Sequence, residues 1–568
     1  MSASARLQVV LCWHMHQPQY LDPISGRYQL PWTYLHGIKD YVDMAGHLER
    51  IEGARAVVNF TPTLLEQLDD YAAAVRAFCD KGSPLPDPLL AALAAESLPS
   101  ERQRRLELVQ ACLRANEERV IGRFEPFARR AELARWLVEH PQQLGFVTEQ
   151  FLHDLVVWYH LAWVGETVRR SDVRVRHLMD KGEGYDSDDR RLLLRLIGEL
   201  LEGLVPRYRR LAQQGRVELS VTPYAHPIVP LLLDTAAARE ALADVALPAT
   251  GPYPGGLERA RWHIREGIAV FERHFGFVPR GCWPAEGGIS AATLPLLAEA
   301  GFAWSASGGQ VLRHSVAASG ETPVGECMHR PYRLDGEPVV CFFRDDGLSD
   351  LIGFEYSKWH AEDAVANLIH HLESIARACP KPRSTVVSII LDGENAWEYF
   401  PDNGYHFLDA LYRRLAEHPR LDLTTFGDCV ADGMVPATLR RMVAGSWVYG
   451  NFTTWVGHPA KNRGWEMLAH AKKAFDAVMA QGTLEPDTRE RAERQLGICE
   501  GSDWFWWFGD DNPEAAVRDF DQLFREHLTR LYQIIGRAPP EYLAHPFTRG
   551  GGQPAAGGVM RPGTVVHN

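Results

Sequence analysis

Seven short stretches rich in apolar and β-branched residues recur along this chain, at residues 8–13, 56–60, 217–221, 303–305, 339–343, 386–391 and 421–426. Long helical patterns such as 190–215 and 257–275 lie between them. Strands that alternate with helices build a parallel sheet, and repeated βα units close it into a barrel. The expected fold class is therefore α/β. Seven strands are evident and an eighth is not, which points to an incomplete (β/α)7 TIM-like barrel. The fullest run, residues 385–391, breaks directly into Asp392, Gly393, Glu394, Asn395, Ala396 and Trp397. A continuous apolar run reads as a strand buried on both faces, and in barrel enzymes the chemistry sits where such strands end. Asp392 is a catalytic candidate on that ground alone. Residues 281–286 repeat the pattern and deliver Glu286 beside Trp283.

The 568 residues exceed the size at which one core keeps growing. Residues 1–430 read as the barrel. A charged, Ala- and Leu-rich helical insertion near 88–137 reads as surface helices with no part in the chemistry. From 431 to 545 the strand pattern gives way to helices at 463–480, 488–499 and 514–535, a second region expected to complete a cleft. The stretch 546–568 is Gly- and Pro-rich and reads as a disordered tail.

A formal net charge of -13 argues against a nucleic-acid partner, which calls for a basic face. No run of eighteen apolar residues suggests a membrane span, and the N-terminus lacks a signal-like apolar stretch. Nine scattered cysteines form no close CxxC pair, the usage of a reducing compartment, so a cytoplasmic protein is expected. Neither a dinucleotide-binding glycine fingerprint nor a phosphate loop is present, and no cofactor is expected.

Four further groups carry polar chemistry. His14 and His16 follow the first strand with period-two spacing, so they point the same way. Such a pair binds sugar hydroxyls or a metal. His226 lies in a loop restrained by Pro223, Pro227 and Pro230. Glu394, two residues beyond Asp392, shares its face in an extended chain, and spacing does not choose between these two acids. Finally, Asp503 precedes five consecutive aromatic residues, 504–508. Two carboxylates across one bond are what glycoside hydrolysis needs, and flat rings suit sugar faces. A metal-dependent hydrolase with His14, His16, His226 and Asp392 as ligands is the alternative, and it leaves Glu286 without a role.

Taken in order, residues 14–18, 224–230, 283–286, 391–397 and 501–507 resemble the characteristic regions of glycoside hydrolase family 57, with the nearest likeness to its amylopullulanase and α-amylase-like members. The resemblance implies a retaining mechanism on α-glucans or malto-oligosaccharides, cleaving α-1,4 bonds with α-1,6 bonds as a second target, and with a 4-α-glucanotransferase or branching-type transglycosylase as the alternative outcome. It implies Glu286 as nucleophile and Asp392 as general acid/base. His14, His16, Gln17, His226, Trp283, Glu394, Trp397, Asp503 and Trp504 would bind sugars. Trp397 is expected to raise the pKa of Asp392, and Glu286 to stay ionised. Ala225 departs from the larger aromatic residue usual before this histidine.

Overall fold

The computed structural model describes residues 6–320, 328–379, 384–551, 560, 561 and 563. Cys327 and most of the Gly- and Pro-rich tail lie outside them. Seven parallel strands form the body of the sheet. They are β1 (Leu7–Met15), β2 (Ala56–Phe60), β3 (Val217–Val221), β4 (Gly281–Cys282), β5 (Trp304–Ser307), β6 (Val340–Phe343) and β7 (Val386–Asp392). β7 pairs with β1, and the order then follows the chain from β1 through β6. The sheet curls until Arg344, just past β6, bridges Ser388 of β7, with Asp345 N donating to Ser388 O at 2.8 Å. The seven are not quite those of the sequence reading. The two-residue β4 takes a place in the curl, while β8 (Leu421–Thr424) pairs only with Leu7–Val10 of β1, beside β2.

Period-two alternation sorts the strand residues into two faces. Val10, Cys12, Val57, Trp304, Ala306, Val340, Phe342 and Ile390 pack together as an inner cluster, whereas Val9, Leu11, Val387 and Ile389 belong to the large core shared with the helices. Continuing the inner face by two residues brings His14 beyond Cys12, Asn59 beyond Val57 and Asp392 beyond Ile390. His14 and Asp392 are register partners across β1 and β7. The apolar interior thus ends in a layer of polar groups at the C-terminal rim.

Between β2 and β3 the chain is helical, with α1 (Pro62–Lys81), α2 (Arg102–Ala111), α3 (Glu125–Glu139), α4 (Glu149–Trp163) and α5 (Ser187–Gln213) among its elements. α5 starts at a reciprocal capping box in which Asp186 and Asp189 satisfy each other's backbone N–H groups. α6 (Gly256–Phe275), α7 (Ala361–Ala378) and α8 (Tyr405–Ala416) cover the later strands. Beyond residue 439 the structure is helical: α9 (Pro459–Met479), α10 (Pro486–Cys499), α11 (Asp503–Trp507) and α12 (Glu514–Ile534). No helix among the described residues is long and apolar enough to cross a membrane.

This helical region is fastened to α6 by a buried charge cluster. Glu500 accepts from Arg259 Nε at 2.9 Å, from Tyr253 Oη at 2.5 Å, and lies 2.7 Å from His263 Nε2. The first residues of the tail read as disordered are packed instead. Phe547 meets Phe508 edge-on at 4.9 Å, and Thr548 Oγ1 accepts from Gly509 N at 3.0 Å.

Candidate active site

A cavity of about 420 Å³ opens over the rim of the barrel. It is lined by His14, His16, Gln17, His226, Glu286, Asp392, Glu394 and Asp503, which gathers eight of the eleven site residues expected from the sequence. The other three stand behind the wall. Trp283 is fully buried, 6.2 Å from the His14 ring, with no hydrogen-bond partner for Nε1 among the described residues. Trp397 donates Nε1 to Gly393 O at 2.9 Å and packs edge-on against Trp13. Trp504 donates to Ile498 O at 2.8 Å and packs against Phe520 and Phe524. The rings that do face the cavity are Trp447, Trp506 and Trp507, with Trp32 and Trp163 from the region around the helical insertion. Arg114, between α2 and α3, also lines it, so the insertion read as a bystander reaches the site.

Backbone conformation aims the key groups. Glu286 sits in a tight turn at φ 57°, and Ala225 and His226 are at φ 57° and 59°. The left-handed region costs a non-glycine residue about 1–2 kcal/mol, and neighbouring contacts hold it here. Ser502 N donates to His226 O at 2.9 Å, and Trp447 N donates to Glu286 O at 2.9 Å. Gly501 permits the first approach, since a Cβ there would stand 2.7 Å from Ala225 O.

The histidines form an ordered line. His14 Nδ1 lies 2.7 Å from Asn59 Oδ1, His14 Nε2 lies 3.1 Å from His226 Nε2, and His226 Nδ1 lies 2.8 Å from Ser502 Oγ. Only one proton order satisfies all three contacts for neutral rings. His14 donates from Nδ1 to the amide oxygen, His226 donates from Nε2 to His14, and the Ser502 hydroxyl donates to His226. Both rings are held neutral at ordinary pH. Burial first, then His16, lowers His14 to about 3, and burial pushes His226 well below its usual value. His16 stacks on His226 with centroids 3.8 Å apart and meets Asp503 Oδ1 at 2.7 Å.

The three imidazoles bring ligand atoms within 4.8 Å of one another, but Asp392 is not part of that group. His14 and His226 also spend their Nε2 atoms on each other. The four-ligand metal reading is not the arrangement found.

Glu286 is buried and Asp392 half-buried. Glu286 Oε2 accepts from Trp447 Nε1 at 2.9 Å, and Oε1 lies 3.9 Å from His226 Nδ1. Asp392 Oδ2 accepts from Asn395 Nδ2 at 2.8 Å. Burial raises Asp392 to about 6, against the pull of Asn395, His16 and Arg344. Burial, with Asp392 and Asp503 nearby, raises Glu286 to about 8, against the expectation that it stays ionised. Glu394 is driven well above the carboxylate range by burial and then by Asp392 and Asp40. Its Oε2 has no partner among the described residues, while Oε1 accepts a long bond from Gln17 at 3.4 Å. A neutral carboxyl with an unused oxygen in a polar cavity suits a substrate hydroxyl.

Several of these groups were missed in the sequence. Asn59 is the one polar residue in the strand AVVNF, and alternation with Val57 marks it as inward. Ser502 stood in the motif 501–507 without a role, and Trp447 in an aromatic segment, 445–459, that precedes it. Arg344 follows β6 as Asp392 ends β7, the same strand-end signal.

The profile of the family described as Glycosyl hydrolase family 57 matches residues 10–437. Several solved structures share the fold at low identity. A GH57 branching enzyme from Thermococcus kodakaraensis is 15% identical, with 94% of this chain and 90% of that chain covered and a TM-score of 0.55. The α-amylase AmyC from Thermotoga maritima is 15% identical, with 93% of each chain covered and a TM-score of 0.56. A 4-α-glucanotransferase from Thermococcus litoralis is 13% identical over 93% of this chain and 60% of that chain, at a TM-score of 0.51.

Proposed function

The chain belongs to glycosyl hydrolase family 57, and on that premise we propose that it hydrolyses α-glucans with retention at the anomeric carbon. The observation that carries this reading is the pair Glu286 and Asp392, one buried and one half-buried acid from different parts of the barrel rim lining one cavity. Asp392 gives its proton to the glycosidic oxygen as that oxygen leaves C1. Glu286 Oε1, the oxygen not engaged by Trp447, bonds to C1. In the second half, Asp392 takes a proton from water, the water oxygen attacks C1, and the Glu286 ester breaks. Two inversions give retention.

The productive form of the pair carries one proton, on Asp392. Trp447 favours it by donating to ionised Glu286, while Asn395 and burial of Glu286 oppose it. Gln17 and the protonated Glu394 would grip hydroxyls, the neutral histidines would brace the cavity floor, and Trp447, Trp506 and Trp507 offer faces or edges to the sugar rings. Eight described cysteines are free thiols, six of them buried, which supports a cytoplasmic location.

Transfer is the second reading. Enzymes of the same fold include a branching enzyme and a 4-α-glucanotransferase, and a sugar hydroxyl can replace water in the second half-reaction. Incubation with maltoheptaose, amylose and pullulan, with Glu286→Gln as control, separates the cases by product size. Shorter products alone mean hydrolysis, and products longer than the donor mean transfer. Cleavage of pullulan would add α-1,6 bonds, as an amylopullulanase requires. Turnover by the Glu286→Gln variant would overturn the assignment.

A further inference from the structure

Met560 and Arg561, late in the chain, return to the catalytic cavity. After the Gly-rich stretch 549–558 the sequence reads VMRPG, and Met560 and Arg561 both line the cavity. Met560 is 7% exposed and the Arg561 side chain 10%. On the helical bank, the Arg561 guanidinium lies over the Trp506 ring at 4.9 Å and 3.9 Å from Asp511 Oδ2. On the barrel bank, Gly563 N donates to Asp350 Oδ2 at 3.1 Å. The other oxygen of Asp350 accepts from Arg344 Nη2 at 2.7 Å. Arg344 in turn lies 5.7 Å from the Trp447 ring, and Trp447 holds Glu286. Gly563 is close-fitted, since a Cβ there would stand 2.7 Å from Asp346 Cγ and 2.9 Å from Arg344 Nη1.

We propose that Met560, Arg561 and Gly563 complete the active site, bridging its two banks, with Arg561 as a positioning residue that sets the charge around Glu286. The proposal rests on the reading of Glu286 as nucleophile. The glucan is uncharged, so a buried cation in this cavity serves the acids rather than the substrate's charge. The groups facing Glu286 are His226, held neutral, the acids Asp392 and Asp503, and the indole of Trp447, with Arg344 behind that indole. Two negative groups thus oppose ionisation of Glu286. Arg561 counters them, and its attraction favours the form with the proton on Asp392.

The test compares full-length Arg561→Ala, Arg561→Lys and Gly563→Leu with the wild type, by kcat/KM on maltoheptaose across pH. Loss of the cation makes Glu286 hold its proton more tightly. In Arg561→Ala the alkaline limb should move up by about half a unit while the plateau falls about threefold, since one pKa unit is a tenfold change in proton affinity. Gly563→Leu, which dislodges these residues, should behave alike, and Arg561→Lys should keep the limb nearer the wild-type position. An Arg561→Ala profile with unmoved limbs overturns the proposal, whether or not its height falls, because loss of packing alone leaves them in place. So does faster turnover in Gly563→Leu, which would mark these residues as a plug. Active Glu286→Gln would instead overturn the nucleophile reading, independently of these profiles.

Discussion

Trp447 holds Glu286 at both ends, its indole N–H donating to Oε2 at 2.9 Å and its backbone N–H donating to the carbonyl of the same residue at 2.9 Å. The backbone bond fixes the turn that presents the acid, and the indole bond favours its ionised form. Trp447→Phe keeps the first and removes the second. A hydrogen bond to a charged group contributes about 1.5–3 kcal/mol. The variant should lose roughly tenfold or more in kcat/KM, with its alkaline limb displaced upward. A pH profile with unchanged limbs would show that the indole only fills space.

The wild-type kcat/KM should be bell-shaped in pH. With Asp392 raised to about 6 and Glu286 to about 8, the pair is doubly protonated in acid and doubly ionised in base. The singly protonated form is the active one, so activity rises through the lower value and falls through the upper. These limbs belong to the pair as a unit. Activity that climbs steadily above pH 9 would contradict the shared proton.

Glu286→Gln should be inactive yet more stable than the wild type, by a margin that depends on pH. In the unfolded chain this acid ionises near 4.5, and in the folded one near about 8. A raised folded pKa gives stability that is complete below the unfolded value and lost as pH rises through the folded value. Gln does not titrate and can still accept from Trp447. Its advantage should therefore grow between pH 5 and 8 and then level off. Thermal melts at pH 5, 6.5 and 8 check this, and a margin that shrinks with pH would refute it.

Arg259→Ala should be among the most damaging substitutions outside the cavity. Glu500 is fully buried, and burial opposes its ionisation, but Arg259 and then His263 hold it down to about 2. That depressed value gives stability present above pH 4.5 and lost as pH falls toward 2. Removing Arg259 leaves a buried charge uncompensated, at a cost of about 3–5 kcal/mol. Denaturant unfolding at pH 7 measures it, and a loss below about 1 kcal/mol would mean the pair is as weak as a surface contact.

What the sequence revealed follows from which groups obey local rules. Strand-end acids such as Asp392 were legible because β7 is long and, but for Ser388, apolar up to its last residue. Glu286 was legible despite the two-residue β4, because the turn after it carries Trp283, Pro284 and paired glycines. The indoles were harder. Trp397 and Trp504 lie in the same motifs as cavity residues, but a helical turn sends one ring inward and its neighbour outward, and composition does not say which. Trp507 faces the cavity while Trp504, three residues earlier, plugs the helices. Arg114 and Arg561 were invisible because no nearby periodicity connects them to the barrel.

The line from Asn59 through His14 and His226 to Ser502 begins inside the barrel and ends at the threshold of α11. The Asn59 oxygen, which only accepts, sets the proton order, and the Ser502 hydroxyl completes it by donating to His226. The barrel alone leaves His226 Nδ1 without that partner. A recombination event that joined it to a foreign helical partner would have to bring a hydroxyl to that one spot, and this couples the descent of the two halves more tightly than their separate cores would suggest.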